Sequence, residues 1–379
     1  MKVCYFGTYE QNYPRNRIII NGLEKNNVEV VECHVPLWEL TEDKGGKFSK
    51  DLSLLKLCFQ MLWSYLRLII KYLRVGDYDV MIVGYIGQFD MILAWILTKI
   101  GRKPLIFNPL VSLSDTLVSD RKLIKKASLF SKLLFLIDRS SLILADLILL
   151  DTNEHINYFC SEFNLPRKKL NRVFAGADER YFFSQRKTNK ADGSFVVLFF
   201  GKFTPLHGIE YIVKAAKLLE QYEDISFEII GKGQLTKEIA KLVDELQIGN
   251  IKFIPWVRYQ TLPDYIERAD VCLGIFGNSG KAMQVIPNKA FQALAMAKPL
   301  ITGDSAAARE ILADKENAIL CKMGDAEAIA QSILLLREDA GLKKKISENG
   351  HKLFRERLSV QALGRDSKKY LDDLLVEKA

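Results

Sequence analysis

The chain offers little to a metal ion. Its four histidines (His34, His155, His207, His351) lie far apart in the sequence. Its six cysteines (Cys4, Cys33, Cys58, Cys160, Cys272, Cys321) show none of the short paired spacings that hold zinc or iron. Cys4 and Cys272 fall inside apolar runs, where a thiol packs as a small hydrophobe. This fits a reducing compartment and excludes a disulfide framework. No uncharged apolar run is long enough to span a bilayer. Met1 leads almost at once into a strand-like stretch, so no signal peptide is expected. The aromatic residues sit in hydrophobic runs and do not alternate with basic ones, so no nucleic-acid partner is expected. The expectation is a cytoplasmic protein, with peripheral attachment to the inner face of the cell membrane as an added expectation.

The 379 residues suffice for two domains, each with its own core. Composition is that of a globular enzyme, 49% hydrophobic and 26% charged. The net charge of +8 suits anionic partners, nucleotides or a membrane surface among them. Short β-rich runs alternate with helical patterns throughout, the mark of α/β architecture with parallel sheets. Strands are expected at 2–7, 28–35, 79–84, 104–108, 146–151 and 172–175. The pattern restarts at 194–201 and continues at 226–231, 251–255, 271–276, 299–302 and 318–321. A polar stretch, 184–193, separates the halves as a linker. Domains are therefore expected over 1–180 and 181–358, with 359–379 a charged amphipathic helix.

The stretch from Ile286 to Asp304 reads as a turn, a helix started by Pro287 and Asn288, and a short buried strand. Asn is a favoured N-cap and Pro is tolerated at a helix start, so free N–H groups gather there and attract phosphate. Ala290, Ala293, Ala295 and Ala297 let that helix lie close to a sheet. Phe200-Gly-Lys-Phe-Thr-Pro-Leu-His-Gly208 and Ile230-Gly-Lys-Gly-Gln234 each end a strand in a glycine turn. Ile254-Pro-Trp-Val257 and Phe276-Gly-Asn-Ser-Gly-Lys281 are further loops after strands. At the chain start, Gly7 ends a strand ahead of Tyr13-Pro-Arg-Asn-Arg17 and a helix, another phosphate-facing corner. There Arg15 is either an anion donor or the partner of Glu10 or Glu24.

These segments, in this order, resemble the family 4 glycosyltransferases of the GT-B fold. The resemblance implies two Rossmann-like parallel-sheet domains facing across a cleft, the first holding the acceptor and the second a nucleotide-sugar. The last helix would cross back to the first domain. The implied reaction is transfer of a sugar from a nucleoside-diphosphate-sugar to an acceptor hydroxyl, with retention and without a cofactor or bound metal. The acceptor would be a sugar or lipid-linked sugar of cell-envelope polysaccharide or glycolipid synthesis.

By the same resemblance Gly201, Lys202 and His207 would clasp the donor diphosphate, with Arg15 joining from the other domain. His207 would do so as a cation or as a neutral N–H donor; a turn residue without a ligand is the other reading. Gly231, Gly233, Pro255 and Trp256 would lie near ribose and base, although Trp256 reads equally as core. Gly277, Pro287, Asn288 and Lys289 would hold phosphates and sugar. The family pattern is a glutamate, seven residues and a second glutamate; here both positions carry glutamine, Gln284 and Gln292. Gln292 would still accept from the ribose hydroxyls, more weakly than a carboxylate. Where the family often has a histidine near the reacting sugar, this chain has Ser112, Ser114 and Asp115. Asp115 is either the acceptor's base or the cap of the next helix. Another GT-B enzyme acting on sugar nucleotides or sugar phosphates, or a non-catalytic scaffold, are the rival readings.

Two helices stand apart. Over 51–75, Lys56, Gln60, Ser64, Arg67, Lys71 and Arg74 form one narrow polar stripe on an otherwise apolar helix. A second basic–apolar helix is expected over 120–144. Each reads either as an interfacial helix on anionic lipid or as a packed helix with its basic stripe in solvent.

Overall fold

The computed structural model describes residues 1–37, 52–184 and 193–378, with side chains from residue 59 onward in the second stretch. The linker expected over 184–193 therefore lies almost wholly outside the described residues, as does the side chain of Lys56. Two compact units are present. The first comprises Met1–Asp151, His155–Phe174 and Val360–Ala379; the second comprises Thr152–Glu154 and Ala175–Ser359.

The first unit holds β1 (Lys2–Gly7), β2 (Glu29–His34), β3 (Val80–Val83), β4 (Leu105–Phe107), β5 (Leu147–Leu150) and β6 (Leu170–Arg172). They form one sheet in the order β2-β1-β3-β4-β5-β6, parallel throughout. The second holds β7 (Phe195–Phe200), β8 (Ile225–Ile230), β9 (Ile251–Ile254), β10 (Val271–Leu273), β11 (Leu300–Gly303) and β12 (Ile319–Cys321). Its order is β12-β11-β10-β7-β8-β9, again parallel. Apolar runs such as the one over 195–200 are buried on both faces because helices cover both sides.

The helices are α1 (Pro14–Lys25), α2 (Leu52–Tyr72), α3 (Met91–Gly101), α4 (Leu129–Leu144), α5 (Asn153–Phe163), α6 (Ile209–Leu218) and α7 (Thr236–Leu246). They continue with α8 (Leu262–Arg268), α9 (Gly280–Gln284), α10 (Asn288–Ala295), α11 (Ala326–Glu338), α12 (Ala340–Leu353) and α13 (Val360–Lys378). Right-handed crossovers place α1 on one face of the first sheet and α2, α3 and α4 on the other. The final helix, α13, belongs to the first unit and packs along α1. The two helices touch backbone to backbone: a Cβ on Gly364 would lie 2.0 Å from the Gly22 carbonyl oxygen.

Three local expectations are corrected. The sixth strand is Leu170–Arg172, not 172–175; the carbonyls of Val173 and Phe174 are taken by the Arg15 guanidinium instead. The helix expected over 120–144 begins only at Leu129, because Ser128 caps it, its side chain accepting from the Ser131 amide at 3.1 Å. Lys122, Lys125 and Lys126 therefore lie on a loop. Asn288 is not an N-cap: extended Pro287 precedes the helix and Asn288 is its first residue, with no side-chain cap.

Candidate functional site

In each sheet the first strand has its sequence successor on one side and a later strand on the other, so the chain direction reverses beside β1 and beside β7. Ligands of open α/β sheets bind at the carboxyl ends of strands at such a reversal.

In the second unit this point lies between β7 and β10. The loops that follow these strands are tied together: the Phe276 amide donates to the His207 carbonyl at 3.1 Å and Gly277 to Leu206 at 3.3 Å. β7 and its neighbour β8 are each followed by a glycine of positive φ, Gly201 (148°) and Gly231 (142°). A side chain on Gly231 would drive its Cβ to 1.9 Å from the Gly201 carbonyl oxygen, so only glycine lets the two strand ends meet.

Lys289, the second residue of α10, reaches this corner. It is 5% exposed, and its Nζ has no hydrogen-bond partner among the described residues. The ammonium stands 3.6 Å from the centroid of the Phe199 ring and 2.9 Å from where a Gly201 Cβ would be. Burial without a counter-charge holds its pKa well below the usual lysine range. His207 flanks the same spot, its Cε1 3.4 Å from that Cβ position. Its Nδ1 bonds the Lys202 carbonyl, which makes Nδ1 the donor and orients the ring. Lys202 itself is exposed. Two groups able to carry positive charge thus converge on one glycine turn.

The other residues singled out in this unit surround that turn along the same sheet edge. Gly233 follows Gly231 in a turn pressed against the Phe203 backbone, its added Cβ only 2.5 Å from the Phe203 carbonyl oxygen. Trp256, beside Pro255 beyond β9, is 66% exposed, which removes the core reading. Gln292 is buried, and its Nε2 donates to the Tyr259 hydroxyl at 3.4 Å. Tyr259 is in turn held edge-on by Tyr181 and Phe182. Gln284 ends α9, with its buried Oε1 unpartnered among the described residues.

In the first unit Gly7 also has positive φ (132), and an added Cβ would lie 2.5 Å from Asp90 Oδ2. Asp90 ties the two loops at this reversal, accepting from the Thr8 amide at 2.7 Å and from the Thr8 hydroxyl at 3.0 Å. Burial pushes its pKa up to about 7, above the usual carboxylate value. The folded state therefore holds an extra proton between about pH 4 and pH 7, and stability falls as pH rises through that window, by at most about 4 kcal/mol. An Asp90→Asn variant should lose that slope, which urea titrations at pH 5 and pH 8 would measure.

Arg15 keeps one guanidinium nitrogen, Nη2, buried without a hydrogen-bond partner among the described residues. It is 1% exposed, its Nε donates to Asn108 at 2.9 Å, and its Nη1 donates to the carbonyls of Val173 and Phe174. It binds neither Glu10 nor Glu24; Arg17 beside it pairs with Glu32 at 2.5 Å. Asp115 is buried at the start of a π-helical turn, Asp115–Asp120, and its amide donates to Ser112 Oγ at 3.0 Å. It does not cap the next helix, which Ser128 caps.

A residue not foreseen, Asp138 of α4, organises the loop before Asp115. Its carboxylate accepts from Ser112 Oγ at 2.8 Å, the Leu113 amide at 3.0 Å and the Ser114 amide at 2.8 Å. One acid in an otherwise apolar helical run was the available signal. Asn16 was missed too: it joins the Tyr5 hydroxyl, the Tyr85 amide and the Glu10 carbonyl.

The sequence and the fold have counterparts in known proteins. Residues 181–353 match the family Glycosyl transferases group 1. The group 1 stretch thus contains the whole corner built around Gly201, His207 and Lys289. Among curated relatives, an uncharacterized glycosyltransferase of Methanocaldococcus jannaschii is 25% identical over 162 residues, 43% of each chain. The lipopolysaccharide core biosynthesis glycosyltransferase LpsD of Rhizobium meliloti is 23% identical over 171 residues, 45% of this chain and 47% of that one. The chain spans about half the length of the curated relatives it matches.

Solved structures extend the likeness of fold to the whole chain. HepE of Anabaena, in complex with UDP, superposes with a TM-score of 0.70 at 16% identity, over 98% of this chain and 100% of that one. Sucrose-phosphate synthase of Thermosynechococcus elongatus gives 0.73 at 15% identity, over the full length of both. The fold is that of the GT-B glycosyltransferases.

Proposed function

We propose that the chain transfers a sugar, with retention, from a nucleoside-diphosphate-sugar to an acceptor hydroxyl in cell-envelope polysaccharide or glycolipid synthesis. The observation that carries this reading is the buried Lys289 Nζ, unpartnered among the described residues, beside a glycine turn at the strand ends. An ammonium desolvated at that cost is explained by an anion that joins it. The diphosphate would sit against Gly201 between Lys289 and His207, with Lys202 at the rim and the start of α10 contributing Asn288 and Lys289 amides. Gly277, tied to the His207 loop, would approach the phosphates through its backbone. Charge develops on the leaving diphosphate as the glycosidic bond breaks, and cations already in place stabilise it there. No protein base is required in this scheme, because the leaving phosphate oxygen takes the acceptor proton.

Nucleotide recognition falls to Gly231, Gly233, Pro255 and exposed Trp256, whose ring is free to stack on a base. Gln292 stands in place of the family's ribose-binding glutamate. Its hydrogen bond to Tyr259 uses the amide nitrogen and leaves the oxygen to accept from ribose. Gln284, with its unpartnered Oε1, faces the transferred sugar as a neutral group where the family pattern has a carboxylate. The UDP complex of HepE and the lipopolysaccharide role of LpsD support donor class and pathway type.

Thermal unfolding with UDP, GDP, ADP, dTDP and CMP, each with and without magnesium, tests this. One nucleotide should stabilise the protein selectively and independently of magnesium, by roughly 2.7 kcal/mol at a hundredfold its dissociation constant. No shift with any of them would make the paired glutamines the mark of a non-catalytic scaffold.

A further inference from the structure

We propose that the outer face of the α2–α3–α4 layer is a docking surface for an anionic membrane. The inference is independent of the donor site, being drawn from the first unit alone. On α2 Ser64 of the expected polar stripe is buried, while Arg67, Lys71 and Arg74 of the same stripe are exposed. Leu68 is buried with Ser64 against the sheet, whereas Phe59, Leu62, Trp63, Leu66 and Ile70 are exposed. At 3.6 residues per turn these five fall within an arc of about 100°, so they form one stripe and not scattered exceptions.

The neighbouring helices continue it. On α3, Ala94 and Thr98 face inward while Trp95, Ile96 and Ile100 face out. On α4, Leu134 and Asp138 face inward while Phe130, Leu133 and Leu136 face out, each at least half exposed. A contiguous apolar face shared by three helices is the kind of exposed patch that marks an interaction surface.

Charge decides what covers it. Neither 59–74 nor 91–102 contains an acidic residue, and the single acid of α4, Asp138, is turned inward and occupied by Ser112, Leu113 and Ser114. Exposed Arg67, Arg74, Lys99, Arg102, Lys132 and Arg139 stand among the apolar residues. Tryptophan and basic residues around an aliphatic stripe match the boundary between headgroups and acyl chains of anionic lipid. A second copy of the chain would bring two positive faces together. Among the described residues no helix is long and apolar enough to cross a membrane, so the layer lies on the surface.

The test is flotation of the full chain, without nucleotide, on vesicles of phosphatidylcholine alone or with one-third phosphatidylglycerol. The chain should float with the anionic vesicles, at least about tenfold less with the neutral ones, and less again in high salt. A Leu66→Glu/Trp95→Glu double variant, both positions exposed, should keep its circular dichroism and nucleotide response and lose flotation. Absence of flotation on anionic vesicles would overturn the proposal. So would a double variant that floats like the wild type, or a dimer in light scattering that the double variant dissociates while vesicles have no effect.

Discussion

Lys289→Met should lower sugar-transfer turnover by about 10²- to 10³-fold, the scale of losing one preorganised charge stabiliser, while the protein folds as well as before or better. The two effects have one cause. In the free protein the ammonium is buried against Phe199 with no hydrogen-bond partner among the described residues, which disfavours the folded state. Methionine keeps the length and apolar stem and removes that penalty, so stability should be unchanged or raised by ~1 kcal/mol. Because the folded pKa is depressed below the unfolded one, the wild type should gain stability as pH rises toward the usual lysine range, and the variant should not. Release of nucleoside diphosphate and thermal melting read the two effects separately. Turnover within threefold of wild type would remove Lys289 from the diphosphate site.

Arg15→Ala should act in the opposite way, through stability. Its guanidinium holds Asn108 and the carbonyls of Val173 and Phe174 to the start of α1, all within the first unit. Truncation leaves those acceptors buried and opens a cavity where a 1% exposed side chain stood. A loss of about 3–5 kcal/mol is expected. The first unit's melting transition should fall by roughly 10 °C. Arg15→Lys should recover little of this, because an ammonium cannot bridge carbonyls set apart to suit a planar fork. Differential scanning calorimetry gives the result. An unchanged transition accompanied by weaker nucleotide binding would contradict this structural role and favour the anion-donor role.

What could be read in advance follows the range over which each interaction acts. Eleven of the twelve strands were legible close to their observed bounds, most of them because strands buried on both faces are written as continuous apolar runs. The sixth was placed two residues late. The glycine corners were legible too, since Gly201 and Gly231 end such runs and precede helices. The cap of α4 was not: Ser128 competes with several polar residues between 112 and 128, and which one caps depends on where Asp138 pulls the preceding loop. The hydrogen-bond partners of Arg15 were not legible, for a similar reason. Its acceptors, Asn108 and Val173, lie 93 and 158 residues away, and local sequence offers only nearby acids as partners. The narrow polar stripe of α2 was visible as a pattern, but the pattern alone does not say which side meets the sheet.

The most direct test of the account is calorimetric titration of the stabilising nucleoside diphosphate into wild type and Lys289→Met, in buffers of different ionisation enthalpy, near pH 8. If the diphosphate joins Lys289, binding restores the proton that burial has made costly. The wild type should then take up more protons on binding than the variant, with affinity falling as pH rises, and the variant should bind weakly. Equal affinity and equal proton uptake in the two proteins would contradict the placement of the donor diphosphate at this corner.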